Sequence, residues 1–521
     1  MKSVRGKIVK AAGLLLVLQV VEQATALLKQ MLIAAQFGTS ETMDGYLIAM
    51  TIVGLVILWV GLPIRQTLIP MFRHDLAKRG ERAAWANASV LFNNLLLVLI
   101  GIVLLGELLA PYLVSILAPG FEESGLSLAT SLARITMASV VFIGMGNVLS
   151  QIFFSYERFF LPGIAASANN VVTMLALLAL GGTYGIYGLA TAVVLGGACH
   201  FVLQLPILWE KRKFYSATVD LRHPHMVETG KLSLPLLIST GGNELARVTD
   251  RIFASLLAAG SLSALAFAHR PITVLIEFLI HPLNTATLPH FAKLSAEEDF
   301  RTLSRQLFYY VRLIAFFTLP VAVGLMLLAE DIVKVLYQRG AFDEASVRLT
   351  AQALLLYAIG VPAQAIMRIF RNAFFNLKDT WTPTKIALGR IALKIILSWI
   401  LVGSLAHRGI ALAESLSLTA NAFVLFCFLP RELKGQEGWK TLAAFAQTLA
   451  GCVVMGAVVY FAQEKLNGMF SLPLELVSLV LLGGATYGAA ALLFQAEVSH
   501  SILKALTELG GKYLRGVAKT T

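Results

Sequence analysis

Charge is what this sequence is short of. Only 14% of its 521 residues are Asp, Glu, Lys or Arg, against about 25% in an ordinary soluble domain. No polar linker divides the chain, although a soluble protein of this length would split into domains joined by such linkers. Cysteine is scarcer still. Cys199, Cys427 and Cys452 all lie in apolar runs, with no CxxC pair and no ligand-spaced histidine, which argues against a disulfide framework or a zinc site. Catalytic signatures are missing as well: there is no GxxxxGK[ST] phosphate loop, no GxSxG, no HExxH, and no Rossmann glycine pattern opening a helix. His223-Pro224-His225 lies in a basic loop and reads as a solvated pair. The chain therefore reads as a non-enzyme without a cofactor. Lacking ATP-hydrolysing machinery, it would drive uphill transport from an ion gradient or the membrane potential, the coupling ion being unspecified.

What is abundant is apolar. Hydrophobic residues make up 57% of the chain and the mean hydropathy is +0.76. Stretches of about 20 apolar residues, the length that crosses a bilayer core, recur from end to end. Segmentation by apolar length and turn signals predicts about fourteen spans, at approximately 8–36, 44–72, 85–109, 127–154, 159–181, 186–209, 231–258, 262–292, 304–329, 349–375, 383–405, 409–429, 440–463 and 472–495. The basic start, Met1 to Lys7, resembles a signal-peptide n-region. The apolar segment after it runs on to about Ala35 with no small-residue cleavage site, so it is read as the first span.

Every second connection is basic. Arg73, Lys78, Arg79 and Arg82 follow span two, Lys211, Arg212 and Lys213 span six, Lys293, Arg301 and Arg305 span eight, and Arg431 and Lys434 span twelve. Both termini belong to this basic set, which by the positive-inside rule is cytoplasmic. The net charge of +12 is thus mostly an orientation signal and not a nucleic-acid footprint.

A weak duplication recurs at an offset of about 220 residues, the kind of self-similarity that builds transporters from repeats. Pro63 and Pro70 near the end of span two match Pro282 and Pro289 of span eight; Pro162 matches Pro383, Gly188 matches Gly409, and Phe121 matches Phe342. Six spans per repeat is an even number, so the two units share an orientation. The predicted architecture is an all-α polytopic membrane protein in which two parallel six-helix repeats surround a central cavity. Residues 1–225 form an N-lobe, 226–435 a C-lobe, 436–495 two added spans, and 496–521 a cytoplasmic tail.

A charge inside a bilayer costs at least about 2.5–3.5 kcal/mol, so each one needs a reason. Span one carries Gln19, Glu22, Gln23, Lys29 and Gln30 on one face, and span seven carries Asn243, Glu244, Arg247, Asp250 and Arg251. Span two adds Asp44 and Arg65, span four Arg134, span eight Arg270 and Glu277, and span eleven Arg390 and Lys394 at i, i+4. Some of these could pair as structural salt bridges, Arg247 with Glu244 or with Asp250. As a set they point to a wet cavity for an anionic substrate, because arginine's planar fork fits phosphate. The candidate substrate-binding residues are Lys29, Asp44, Arg65, Arg247, Asp250, Arg251 and Arg270.

Particular segments resemble the MurJ/MviN family: Val335 to Asp343, Tyr357 to Pro362, Arg371 to Phe375, and Asp379 to Pro383 most specifically. Asp250 to Ser255, Ala268-His269-Arg270, Leu288-Pro289, Phe37-Gly38 and Asp44-Gly45-Tyr46 extend the likeness along nearly the whole chain. The resemblance implies a fourteen-helix lipid flippase of the MOP exporter superfamily in the bacterial inner membrane. Its substrate would be an undecaprenyl-pyrophosphate-linked glycan, lipid II being the leading candidate, moved to the outer leaflet by alternating access. Membrane lipids and cell-wall or polysaccharide synthesis proteins are the implied partners, and the last two helices would hold the lipid tail. Where typical members carry a Ser-Arg pair and a further arginine on the first helix, this chain has Glu22-Gln23 and Lys29. Their second-helix arginine falls near Val56-Ile57, over two turns from Arg65. Asp44 and Arg270 match, and the family's sodium site on helices seven and eleven is matched only at Asp250. Alternatives are a flippase for another lipid-linked surface or exopolysaccharide unit, or a multidrug or cation antiporter, which would favour acidic and aromatic residues over these cations.

Overall fold

The structure is a computed structural model, and it describes residues 2–297, 299–434, 437–466 and 468–494. The tail 496–521 and the side chain of Asn243 lie outside the described residues. Helix accounts for almost everything described, and no strand occurs among those residues. This is the all-α architecture that the apolar runs require, because a chain in lipid must satisfy its backbone hydrogen bonds within each segment.

Among the described residues seventeen helices follow one another. The first four are α1 (Lys2–Phe37), α2 (Glu41–Lys78), α3 (Glu81–Leu117) and α4 (Glu123–Ser155). Next come α5 (Phe160–Val202), the short α6 (Pro206–Glu210), α7 (Pro224–Ser255), α8 (Ser261–Ala296), α9 (Phe300–Leu327) and α10 (Ala329–Tyr337). α11 (Glu344–Ile359) and α12 (Val361–Asn376) are one span interrupted at Gly360, and α13 (Trp381–Leu405) and α14 (His407–Phe428) follow. The short α15 (Arg431–Lys434), α16 (Glu437–Leu466) and α17 (Leu472–Leu493) complete the series.

Among the described residues eleven helical stretches are long and apolar enough to cross a membrane. One of these, Phe160–Glu210, holds two of the expected spans, because its helix breaks at Gly185. α7 and α8 are not among the eleven but run for 32 and 36 residues, and with them the fourteen expected spans are accounted for. Large apolar side chains such as Leu108, Trp399, Val453 and Leu481 remain mostly exposed, as lipid-facing positions should. Helix starts follow ordinary capping chemistry. Ser40 accepts a hydrogen bond from Met43 N at the start of α2. Ahead of α13, the backbone N–H groups of Thr382 and Trp381 hold the Asp379 carboxylate below its usual range, so its stabilising effect is kept above the ordinary carboxylate range and lost as pH falls below it.

The chain divides into two compact units, residues 1–264 with 339–346, and residues 265–338 with 347–521. In the first, α4 packs along α2, α3 and α5, α1 lies on α5, and α7 lies on α2 and α3. In the second, α13 packs on α14, α12 on α9 and α14, and α16 and α17 on α9. Grouping by contact differs from grouping by repeat, since α7 opens the second repeat in sequence yet packs against α2 and α3. The added helices α16 and α17 are seated by an apolar cluster that includes Phe316, Cys452, Met455, Leu479 and Tyr487. Hydrogen bonds from Tyr487 Oη to the Phe316 carbonyl (2.8 Å) and from Gln463 to Asp331 (2.6 Å) hold them in place, with an Arg312–Glu437 ion pair at 3.0 Å.

The duplication is written in the backbone. In the first unit Glu157 has φ 60°, Glu157 N donates to the Phe154 carbonyl, and Arg158 N donates to that of Phe153, both at 3.0 Å. In the second, Lys378 has φ 61°, Lys378 N donates to the Phe375 carbonyl and Asp379 N to that of Phe374, again at 3.0 Å. The helix break in α5 places Gly185 at φ 54°, ψ −132°, and its counterpart Ala406 lies at φ 50°, ψ −133°. Just beyond each break a glycine, Gly188 or Gly409, lets the chain pass close to the carbonyl of Leu180 or Leu401. All these pairs share one spacing, that of the sequence repeat.

Candidate functional site

The first unit contains a cleft of about 370 Å³ whose largely apolar lining is studded with charged groups. One wall is a face of α2, with Met50, Thr51, Gly54, Leu58, Gly61 and Arg65 recurring at helical spacing; α4 adds Asn147, and α7 adds Glu244, Arg247 and Arg251. Gly54 and Gly61 leave the wall open, since nothing but the Asn147 amide comes near either. Glu244 holds Arg247 at 3.2 Å, but the Arg247 side chain is still 70% exposed. Arg65 is exposed too.

Three guanidinium groups thus face one carboxylate in a partly enclosed space. Positive charge in a setting of reduced dielectric attracts an anion more strongly than it would in water. Each guanidinium can also give two parallel hydrogen bonds to phosphate or carboxylate. Of the seven residues singled out from sequence, the structure brings Arg65, Arg247 and Arg251 together here. Lys29 is half-buried on α1, Asp250 half-buried on α7, and Arg270 half-buried on α8 in the second unit; none of these lines the cleft.

Asp44 has a different setting. It is 3% exposed, and its two carboxylate oxygens accept hydrogen bonds from Gly260 N and Ser263 N, each at 2.7 Å. It therefore caps the start of α8 from the neighbouring helix, and it lies outside the cleft lining. Arg251 is close enough to Asp44 to act on its charge. Asp44→Ala would leave two buried N–H groups unpaired, at about 1–3 kcal/mol each. The variant should unfold at a clearly lower temperature than wild type in detergent, and Asp44→Asn, which keeps one acceptor, should fall between. Equal melting temperatures for Asp44→Ala and wild type would sink the capping assignment.

The second unit pairs its membrane charges more tightly. Lys394, 2% exposed, places Nζ 2.6 Å from Glu414, and Arg390, 7% exposed, comes within 3.4 Å of the same carboxylate. The i, i+4 cations of α13 therefore share one acid on α14. Sequence reasoning found the cations and missed the acid, although Glu414 is the only carboxylate in its apolar run. It also missed Arg368 of α12, which lies 3.9 Å from Glu277 of α8. The available signal for Arg368 was its place inside an apolar span, as for Arg65.

Comparison with known proteins gives a consistent result. The profile of a family described as lipid II flippase MurJ matches residues 33–481. The lipid II flippase MurJ of Burkholderia cenocepacia is 26% identical over 471 residues, covering 88% of this chain and 91% of the relative. Among solved structures, one described as lipid II flippase MurJ in an inward closed conformation superposes with a TM-score of 0.76 at 21% identity, over 94% of this chain and 99% of its own. An inward-facing multidrug resistance MATE family transporter of the MOP superfamily follows at a TM-score of 0.66 and 16% identity, over 81% and 95%. At these identities the two structures establish the fold alone.

Proposed function

The chain belongs to the lipid II flippase MurJ family, and on that premise we propose that it carries lipid II across the bacterial inner membrane with its pyrophosphate held in the arginine cleft. The observation that carries this reading is the convergence of Arg65, Arg247 and Arg251 on one cleft. A diphosphate is the most densely charged part of such a lipid, and it is the group that cannot cross a hydrocarbon core unaided. Lys29 and Arg270 add cations for the passage of the head group, and Asp44 positions the start of α8. The polyprenyl tail stays in lipid beside α16 and α17. Both termini face the cytoplasm, as the basic connections favour, and the two repeats open the site alternately to either side. Arg65 takes the part that the second-helix arginine plays in relatives, from a position further along the same helix.

The test is replacement. Cells depleted of their own lipid II flippase should grow when this chain is supplied, and labelled lipid II should appear in the outer leaflet at a rate that depends on it. Full expression in the membrane with no growth and no outward lipid II would overturn the substrate. If such cells instead gained resistance to cationic drugs, the protein would be an antiporter of the superfamily.

A further inference from the structure

The duplication allows the cleft of the first unit to be mapped onto the second. Arg368 stands ten residues before Lys378, as Asn147 stands ten before Glu157, and Lys378 and Glu157 share the same turn and the same positive φ. Glu277 stands five residues before Pro282, as Leu58 stands five before Pro63. Asn147 and Leu58 both line the arginine cleft. Two uncharged positions of the first repeat have thus become an acid and a base in the second.

These two groups are poised, not locked. Arg368 and Glu277 are 26% and 30% exposed and lie 3.9 Å apart, beyond hydrogen-bond length. Arg368 keeps its N–H groups available, with a carboxylate already stationed beside them. Arg371, one turn further along α12, has a buried Nε with no hydrogen-bond partner among the described residues, and Arg368 is close enough to act on its charge. Arginine is therefore in excess at this face of the second unit.

We propose that Arg368 is a binding residue for a carboxylate of the translocated head group, with Glu277 occupying that position until the ligand arrives. A carboxylate is favoured over the diphosphate because two guanidinium groups beside one acid leave a single positive charge, which suits a monoanion in the fork–fork geometry, whereas the cleft of the first unit sets three arginines against one acid. The proposal rests on the flippase reading for its ligand, but it concerns a different residue and a different chemical group.

The test measures affinity of the purified full-length protein in detergent for three probes: undecaprenyl pyrophosphate, lipid II, and lipid II with its carboxylates amidated. Arg368→Ala should weaken lipid II by about ten- to a hundredfold, the range for a lost hydrogen bond to a charged group. It should change the affinity for amidated lipid II far less. Glu277→Gln removes the competing carboxylate and should tighten lipid II several-fold while leaving the amidated form alone, so it decides the matter even if Arg368→Ala fails to fold. Loss of undecaprenyl pyrophosphate binding in step with lipid II would show that Arg368 reads phosphate and would overturn the proposal. So would equal binding of lipid II by wild type and Glu277→Gln. A wild-type protein that ignores undecaprenyl pyrophosphate would overturn the cleft assignment but not this one, which is decided by lipid II against its amidated form.

Discussion

A protein carrying Arg247→Glu should reach the membrane in normal amount and translocate no lipid II. The side chain is mostly exposed and, among the described residues, held by Glu244, so reversing its charge disturbs little of the packing. The effect on the ligand is large, because the cleft would then set two arginines against two glutamates. Two unit charges 4 Å apart interact by about 4 kcal/mol at an effective dielectric near 20, and reversing a sign changes this attraction into repulsion. Affinity for undecaprenyl pyrophosphate should fall by more than about a hundredfold. Arg247→Gln should give an intermediate loss, and Glu244→Gln should bind at least as well as wild type. A fully active Arg247→Glu protein would show that the diphosphate is held elsewhere.

Glu414→Gln should be among the most destabilising single changes in the second unit. It leaves Arg390 and Lys394 without the carboxylate they share, and removing one partner of a buried ion pair costs about 3–5 kcal/mol. The loss should appear as a sharply lowered melting temperature and poor accumulation in the membrane. Replacing all three groups together, as Arg390→Met, Lys394→Met and Glu414→Leu, should recover most of the stability, since apolar substitutes of similar volume are often neutral or stabilising by about 1–4 kcal/mol. If Glu414→Gln melts like wild type, the three groups do not form the structural unit described above.

How much of this was legible beforehand depends on the distance over which each feature is encoded. The spans were visible because hydropathy is local, and even the break between the fifth and sixth could be placed, at a run of small and turn-forming residues around Gly185. The duplication showed in a handful of prolines and glycines, because those are the residues that backbone geometry constrains. Partner choice was not legible. Lys394 and Glu414 are on different helices, and Arg65 meets Arg247 only because α7 packs on α2. An intramembrane aspartate announces a desolvation problem without saying what resolves it. Asp44 therefore looked like a ligand group until its two hydrogen bonds to the start of α8 were seen. Arg368 lies as far inside its span as Arg65 does in its own, so hydropathy marked it equally well; what stayed hidden was its neighbour Glu277, which is on another helix.

The segment 339–346 belongs to the first unit although it follows nearly all of the second repeat's opening helices. Ala341 N donates to the Ala35 carbonyl at 2.8 Å, and Ser346 Oγ meets Thr39 Oγ1 at 2.7 Å. A ribosome that has just finished the sixth span has therefore not yet made everything the first unit needs. Residues 226–346 must still emerge, which takes about 6–24 s at about 5–20 residues per second. In the first part of that interval α2 waits in the bilayer without α7, its glycines and Arg65 bare to lipid or to an insertion chaperone, and to the end of it the unit still lacks 339–346. The order of synthesis thus sets a window of vulnerability early in the life of the protein, and substitutions in α7 or in 339–346 should show themselves first as faults of biogenesis, in pulse-labelled chains, before any fault of transport can be measured.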